Sequence, residues 1–220
     1  MNRAIVLLSG GMDSLVSAAI ANRDCDELFF LHISYGQRTE AKERWCFEQL
    51  ARHYHAVEAR VVDYHWLAAI GGSALTDPNL EIPEGITQDT NTYVPFRNAT
   101  FLCAAVAWAE VIKATRIYIG AVEEDSSGYP DCRESFFEAM NKVIEEGTKA
   151  KDIAVYTPVI HLNKSEIVKL GMSLKAPFEL SWSCYGQTDK ACGTCPSCIL
   201  RLRAFEAAGL ADPIDYEGKS

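Results

Sequence analysis

The run Ser9-Gly10-Gly11-Met12-Asp13-Ser14 carries the residue types best suited to chemistry in this chain. Two glycines let a backbone approach a phosphate closely, and Ser9 and Ser14 add hydroxyl donors. Asp13 would repel a bare phosphate; its carboxylate makes sense where Mg²⁺ bridges it to the phosphates of a nucleotide. The loop is not a Walker loop, which ends in Gly-Lys-Ser/Thr, nor a dinucleotide fingerprint, which needs a third spaced glycine. The bland alternative is a serine-glycine turn capped by Asp13. A second set is Cys184, Cys192, Cys195 and Cys198, with seven, two and two residues between successive members. Four thiolates at such spacing match a tetrahedral zinc site. They would saturate Zn²⁺ and leave no position for water, so the metal would be structural. A redox Cys-x-x-Cys pair also fits but leaves Cys184 idle, and an iron–sulfur cluster accepts four thiolates as well.

These residues need a frame. Residues 4–8 are a short apolar run that reads as a buried strand, and residues 15–22 read as a helix with Ala18 and Ala19 on its packing side. The phosphate loop therefore follows the first strand and opens a helix, where the free N–H groups and the helix dipole favour anions. Position is what favours a nucleotide over a plain turn, since open α/β sheets bind ligands at this edge. Further strands are predicted at 27–33, 56–62, 116–121 and 155–160. Helices are predicted at 38–54 (apolar side Ala41, Trp45, Leu50), 99–113 with Asn98 as N-cap, 134–147 and 164–174. Residues 63–94 lose all periodicity and read as a loop with short helical pieces over the nucleotide site. Alternation of strands and helices implies an α/β fold: an open, mostly parallel five-stranded sheet with helices on both faces. The expected organisation is an ATP-binding α/β domain over residues 1–180 and a small cysteine lobe over 181–220 packed on it.

Composition narrows the class. The 220 residues carry a net charge of −9, which argues against non-specific nucleic-acid binding. Apolar residues make up 48%, in the range of soluble globular chains. No apolar run approaches membrane-span length, and the apolar stretch before Ser9 is too short for a signal peptide. A cytoplasmic protein is expected, in which Cys25, Cys46, Cys103 and Cys132 are free buried thiols. The outer side of the 99–109 helix or the cysteine lobe could support a homodimer. The five histidines are scattered without ligand spacing.

The first run resembles the SGGxDS signature of the PP-loop ATP pyrophosphatases. Further motifs narrow the likeness: Tyr35-Gly36-Gln37-Arg38, Val94-Pro95-Phe96-Arg97-Asn98, Asp125-Ser126-Ser127-Gly128-Tyr129-Pro130-Asp131-Cys132-Arg133, Asn163-Lys164-Ser165-Glu166, and the cysteine cluster with Arg201. Together they are similar, over nearly the whole chain, to the 7-cyano-7-deazaguanine synthase family of queuosine precursor biosynthesis. The resemblance implies an adenine-nucleotide α-hydrolase-like sheet and an ATP-dependent ligase. Its substrates would be 7-carboxy-7-deazaguanine and ammonia, and its cofactors Mg²⁺ and structural Zn²⁺. It implies a nucleotide site over Leu8, Ser9, Gly10, Gly11, Met12, Asp13, Ser14, Leu15, Val16, Ser17 and Ala18, with adenine and ribose near residues 32–35. Asp13, Arg97 and Lys164 would be catalytic, toward the metal, the α-phosphate and the developing charge. Asp125, Tyr129, Asp131 and Arg133 would hold the deazaguanine. Against these roles, Arg97 could form only a salt bridge, and Asp131 or Ser135 only a helix cap. Rival functions are a PP-loop tRNA thiolase or lysidine-type ligase, a zinc-stabilised ATP-binding module without catalysis, and an amidotransferase of the NAD or GMP synthetase kind.

Overall fold

The computed structural model describes residues 1–86, 91–123 and 129–218. Five strands, β1 (Arg3–Leu7), β2 (Glu27–Ser34), β3 (Glu58–Asp63), β4 (Arg116–Ile119) and β5 (Ala154–Tyr156), form one sheet in the order β3-β2-β1-β4-β5. Every neighbouring pair is parallel. The chain builds outward from β1 to β3, then returns to place β4 on the other side of β1. The strand order thus reverses between β1 and β4, and ligands bind such sheets at the carboxyl ends of the strands flanking that point.

Strand periodicity sorts the core. Ala4 and Val6 of β1 face a cluster with α1 (Met12–Asp24), α2 (Glu40–His53) and α6 (Lys164–Ser173); Ile5 and Leu7 face α4 (Arg97–Ile112) and α5 (Glu134–Gly147). The expected five-stranded parallel sheet, covered on both faces, is what the chain forms. A short helix α3 (Trp66–Ile70) lies in the aperiodic stretch.

Four local expectations need correction. Helix α1 begins at Met12 rather than residue 15, so its first turn includes the Met12-Asp13-Ser14 end of the expected phosphate loop. Asn98 is not the N-cap of α4. Phe96 is, in a left-handed conformation (φ 56°), because Asn98 turns inward to bond Asp131. On α2 the buried side is Cys46, Phe47, Leu50 and Ala51, leaving Ala41 and Trp45 exposed. The strand expected at 155–160 is only Ala154–Tyr156. The sequence reading also lacked a final helix, α7 (Pro196–Ala207). Its Ala204 and Phe205 join the main core, so the cysteine lobe is tied to the sheet domain by a packed helix.

Candidate functional site

The phosphate loop starts where β1 leaves the sheet. Leu8 N–H still donates to Leu31 (2.9 Å), but the Leu8 carbonyl faces His32 Nδ1 at 3.0 Å. A carbonyl only accepts, so Nδ1 carries the proton. The imidazole is buried against Phe47, and burial holds its pKa below the ordinary histidine value, keeping it neutral. Gly10 has φ +87°, and a Cβ there would lie 2.8 Å from Cys46 Cβ and 3.1 Å from the Glu43 carbonyl oxygen. Only glycine fits both the angle and the space. Ser9 Oγ accepts from Gly11 N–H (3.2 Å) and lies 3.1 Å from Ser14 Oγ, which donates to the Gly11 carbonyl (2.9 Å). No side chain caps the start of α1, and N–H groups left in this way at a helix start suit an anion.

Asp13 sits in that turn. One carboxylate oxygen accepts from Lys164 Nζ at 2.9 Å. The other, Oδ1, is buried with no hydrogen-bond partner. A buried carboxylate oxygen left unpaired is costly in a protein and well suited to a hard cation. Lys164 is delivered by a capping box: Asn163 accepts from Glu166 N–H (3.0 Å), and Glu166 accepts from Asn163 N–H (2.9 Å). Gly120, just past β4, packs on the same turn. A Cβ there would stand 2.5 Å from Asp13 C and Ser14 N.

Of the other expected nucleotide positions, Met12, Leu15, Val16 and Ala18 point into the core and Ser17 is fully buried. Side-chain contact with a ligand is closed to them, and any contribution comes through the first-turn backbone.

A second group gathers beside β2. Arg97 donates to the Tyr35 hydroxyl (3.0 Å) and lies over its ring (5.5 Å). Burial pushes the Tyr35 phenol up to about 12, so it stays neutral. Tyr129 OH meets Thr92 Oγ1 at 2.6 Å, and Tyr93 packs edge-on to Tyr129. Asp131 is buried, and its Oδ2 accepts from Asn98 N–H (2.9 Å). It therefore caps α4 across space. Arg133 is exposed and ends the short turn Pro130–Cys132. Asp125 lies outside the described residues. The contacts of Thr92 and Tyr93, and the His32 anchor, were not anticipated from the sequence.

The four cysteines converge. All their Sγ atoms lie within 4.8 Å of one another, with Cys184–Cys192 at 3.5 Å and Cys192–Cys198 at 3.9 Å. A tetrahedron with metal–sulfur bonds of about 2.3 Å has sulfur–sulfur edges of about 3.8 Å. Hydrogen bonds from the Cys195 and Cys198 thiols hold the Cys184 thiol far below its ordinary pKa. The donor set fits a metal ion.

A glycine loop at the switch point of a parallel sheet, opening a helix that no side chain caps and carrying a carboxylate with one buried, unpaired oxygen, is the arrangement of a PP-loop fold. The fold is shared with a 4-thiouridine synthetase–RNA complex with bound ATP (16% identity, 98% of this chain and 47% of that one, TM-score 0.52). The model of the queuosine biosynthesis protein QueC matches residues 3–209. A 7-cyano-7-deazaguanine synthase of Chlorobium phaeobacteroides is 59% identical, over 98% of this chain and 97% of its own length. One of Chlorobaculum tepidum is 55% identical, over 98% and 96%. The chain belongs to the QueC family.

Proposed function

We propose that this protein is an ATP-dependent carbon–nitrogen ligase that converts 7-carboxy-7-deazaguanine and ammonia to 7-cyano-7-deazaguanine. In a chain of the QueC family, the pairing of Asp13 in the phosphate loop with Lys164 at the start of α6, with Asp13 Oδ1 unpartnered, carries this reading. A carboxylate resists attack by ammonia because it has no good leaving group. Transfer of AMP from ATP to its oxygen releases pyrophosphate and supplies one. Ammonia then displaces AMP to give the amide. A second ATP adenylates the amide oxygen, and loss of AMP and protons leaves the nitrile.

This chain's residues position and stabilise. Ser9, Gly10, Gly11 and Ser14 cradle the pyrophosphate that departs. Asp13, through its unpartnered Oδ1, would hold Mg²⁺, which would supply charge neutralisation. Lys164 and Arg97 meet the charge on the α-phosphate. Arg133, exposed beside the loop, pairs with the substrate carboxylate, while Tyr129 stacks on the base. Asp131 holds Asn98 and so the start of α4 in place, alongside any contact of its own with the substrate.

Zinc is the proposed occupant of the cysteine site. The close sulfur spacing suits a single ion, since a cluster would interpose its own atoms and spread the thiolates. Of the four scattered cysteines expected as buried thiols, Cys46 is buried, Cys25 and Cys132 are half-buried and Cys103 is exposed, none of them in a disulfide; no helix among the described residues is long and apolar enough to cross a membrane. A cytoplasmic setting is part of this proposal. A homodimer through α4, where Val111 is exposed, is a further proposal that light scattering tests. The activity is tested with purified protein, Mg-ATP, ammonium and 7-carboxy-7-deazaguanine, reading product mass and pyrophosphate. Release of pyrophosphate without nitrile, or turnover only with tRNA, refutes it.

A further inference from the structure

The cysteine lobe touches the phosphate loop directly. Trp182 N–H donates to the Gly10 carbonyl at 2.8 Å. Gly10 is the left-handed residue that turns the loop, so this bond fixes the plane of the Gly10–Gly11 peptide. Trp182 is buried, and its indole N–H donates to the Gln187 carbonyl (3.0 Å), inside the segment joining Cys184 to Cys192. Its ring packs in one cluster with Cys184, Cys195, Cys198 and Cys46. Cys46 is also the side chain that a Cβ at Gly10 would meet, at 2.8 Å. Cys184 is only two residues further along the chain.

The segment carrying Trp182 is clamped from α7. Arg201 is fully buried, and donates to Ser181 Oγ (2.8 Å) and the Phe178 carbonyl (3.1 Å). Two bonds to Asp212 (2.8 and 3.0 Å) hold its guanidinium, and Tyr216 closes the network on Asp212 at 2.6 Å. Cys198 lies in the first turn of the same helix, two positions after Pro196. The loop that receives phosphate is thus backed by a wall whose own shape depends on the four cysteines being gathered.

We infer that Trp182 is a positioning residue through which the metal-holding lobe sets the phosphate loop, so that ATP affinity follows occupancy of the cysteine site. The inference rests on the proposed ATP use. A closed thiolate site does no chemistry, yet here its loading is transmitted to the nucleotide through a backbone hydrogen bond and packed side chains.

The test measures Mg-ATP binding by calorimetry, with metal content and circular dichroism on each sample. Trp182→Ala, carrying full metal, is expected to bind Mg-ATP at least tenfold more weakly, and Trp182→Phe within about threefold of the wild type. Wild-type protein stripped with a zinc-selective chelator, then assayed in excess Mg²⁺, is expected to keep its helical signal and lose ATP affinity, and to regain it on adding Zn²⁺. Unchanged ATP affinity in either the metal-loaded Trp182→Ala protein or the stripped wild type overturns the inference. Collapse of the helical signal on stripping also overturns it, because the lobe would then hold the fold and not the loop. Failure of the untreated wild type to bind Mg-ATP would instead sink the ATP reading itself.

Discussion

Gly120→Ala isolates how closely β4 presses on the phosphate loop. Gly120 does not have a positive φ, so alanine meets no backbone penalty and the effect is purely steric. The added Cβ would stand 2.5 Å from Asp13 C and Ser14 N, and 2.7 Å from Asp13 O. Comfortable carbon contacts are about 3.5–4.0 Å, so the shortfall is about 1 Å, and the obstructing atoms are backbone that cannot rotate away. Either the end of β4 or the first turn of α1 must shift. Overpacking of this kind costs about 1–3 kcal/mol, which for a chain of this size lowers Tm by about 2–12 °C. The functional loss should be larger. Asp13 rides on the turn that is pushed, and a misplacement of about 1 Å can cost on the order of 100-fold in rate. The assay is steady-state pyrophosphate release with varied Mg-ATP, beside thermal denaturation. Gly147→Ala is the control. It ends α5 with nothing within 4 Å of its Cβ, and should leave kcat/KM unchanged. A Gly120→Ala protein with wild-type kcat/KM for Mg-ATP would refute the reasoning, whatever its Tm.

Other substitutions separate roles that the geometry distinguishes. Asp13→Asn should keep the fold and lower turnover by several orders of magnitude, because the amide cannot hold the cation; near-normal turnover at ordinary Mg²⁺ would remove Asp13 from this role. Arg133→Ala should leave Tm unchanged and raise KM for the deazaguanine acid, whereas Asp131→Ala should lower Tm as well, since Asp131 bonds the first turn of α4; equal Tm losses in the two would contradict the assignment. Cys195→Ser should reduce bound metal and stability together, measured by metal analysis and denaturant titration, and full metal retention would count against a four-thiolate site. His32 gives a pH signature. Its folded pKa lies below the unfolded value of about 6.5, so the unfolded chain binds more protons as pH falls beneath that value, and stability declines on acidification. His32→Asn, whose amide can still donate to the Leu8 carbonyl, should flatten that decline; an unchanged slope between pH 7 and 5 would place the titrating group elsewhere.

Much of this protein was legible along the chain because it is local. The strand–glycine loop–helix order at residues 4–22 is written in apolar runs and two adjacent glycines, and the ligand identities and spacing of Cys184, Cys192, Cys195 and Cys198 are close-range facts. The parallel sheet followed from alternating elements, since parallel neighbours need crossover helices. What failed to read depended on partners distant in sequence. Asn98 looks like an N-cap until Asp131 captures its backbone and side chain from 33 residues away. Trp45 looks like a core residue of α2 until the sheet and the cysteine lobe claim the faces bearing Phe47 and Cys46 instead. The pairing of Lys164 with Asp13 spans 151 residues, and no periodicity records it. Hydrophobic pattern and turn chemistry determine which elements form and where anions and metals are welcome. Only packing in three dimensions decides which side chain ends beside which, and here that decided that the phosphate loop rests on β4 through Gly120 and on the cysteine lobe through Trp182.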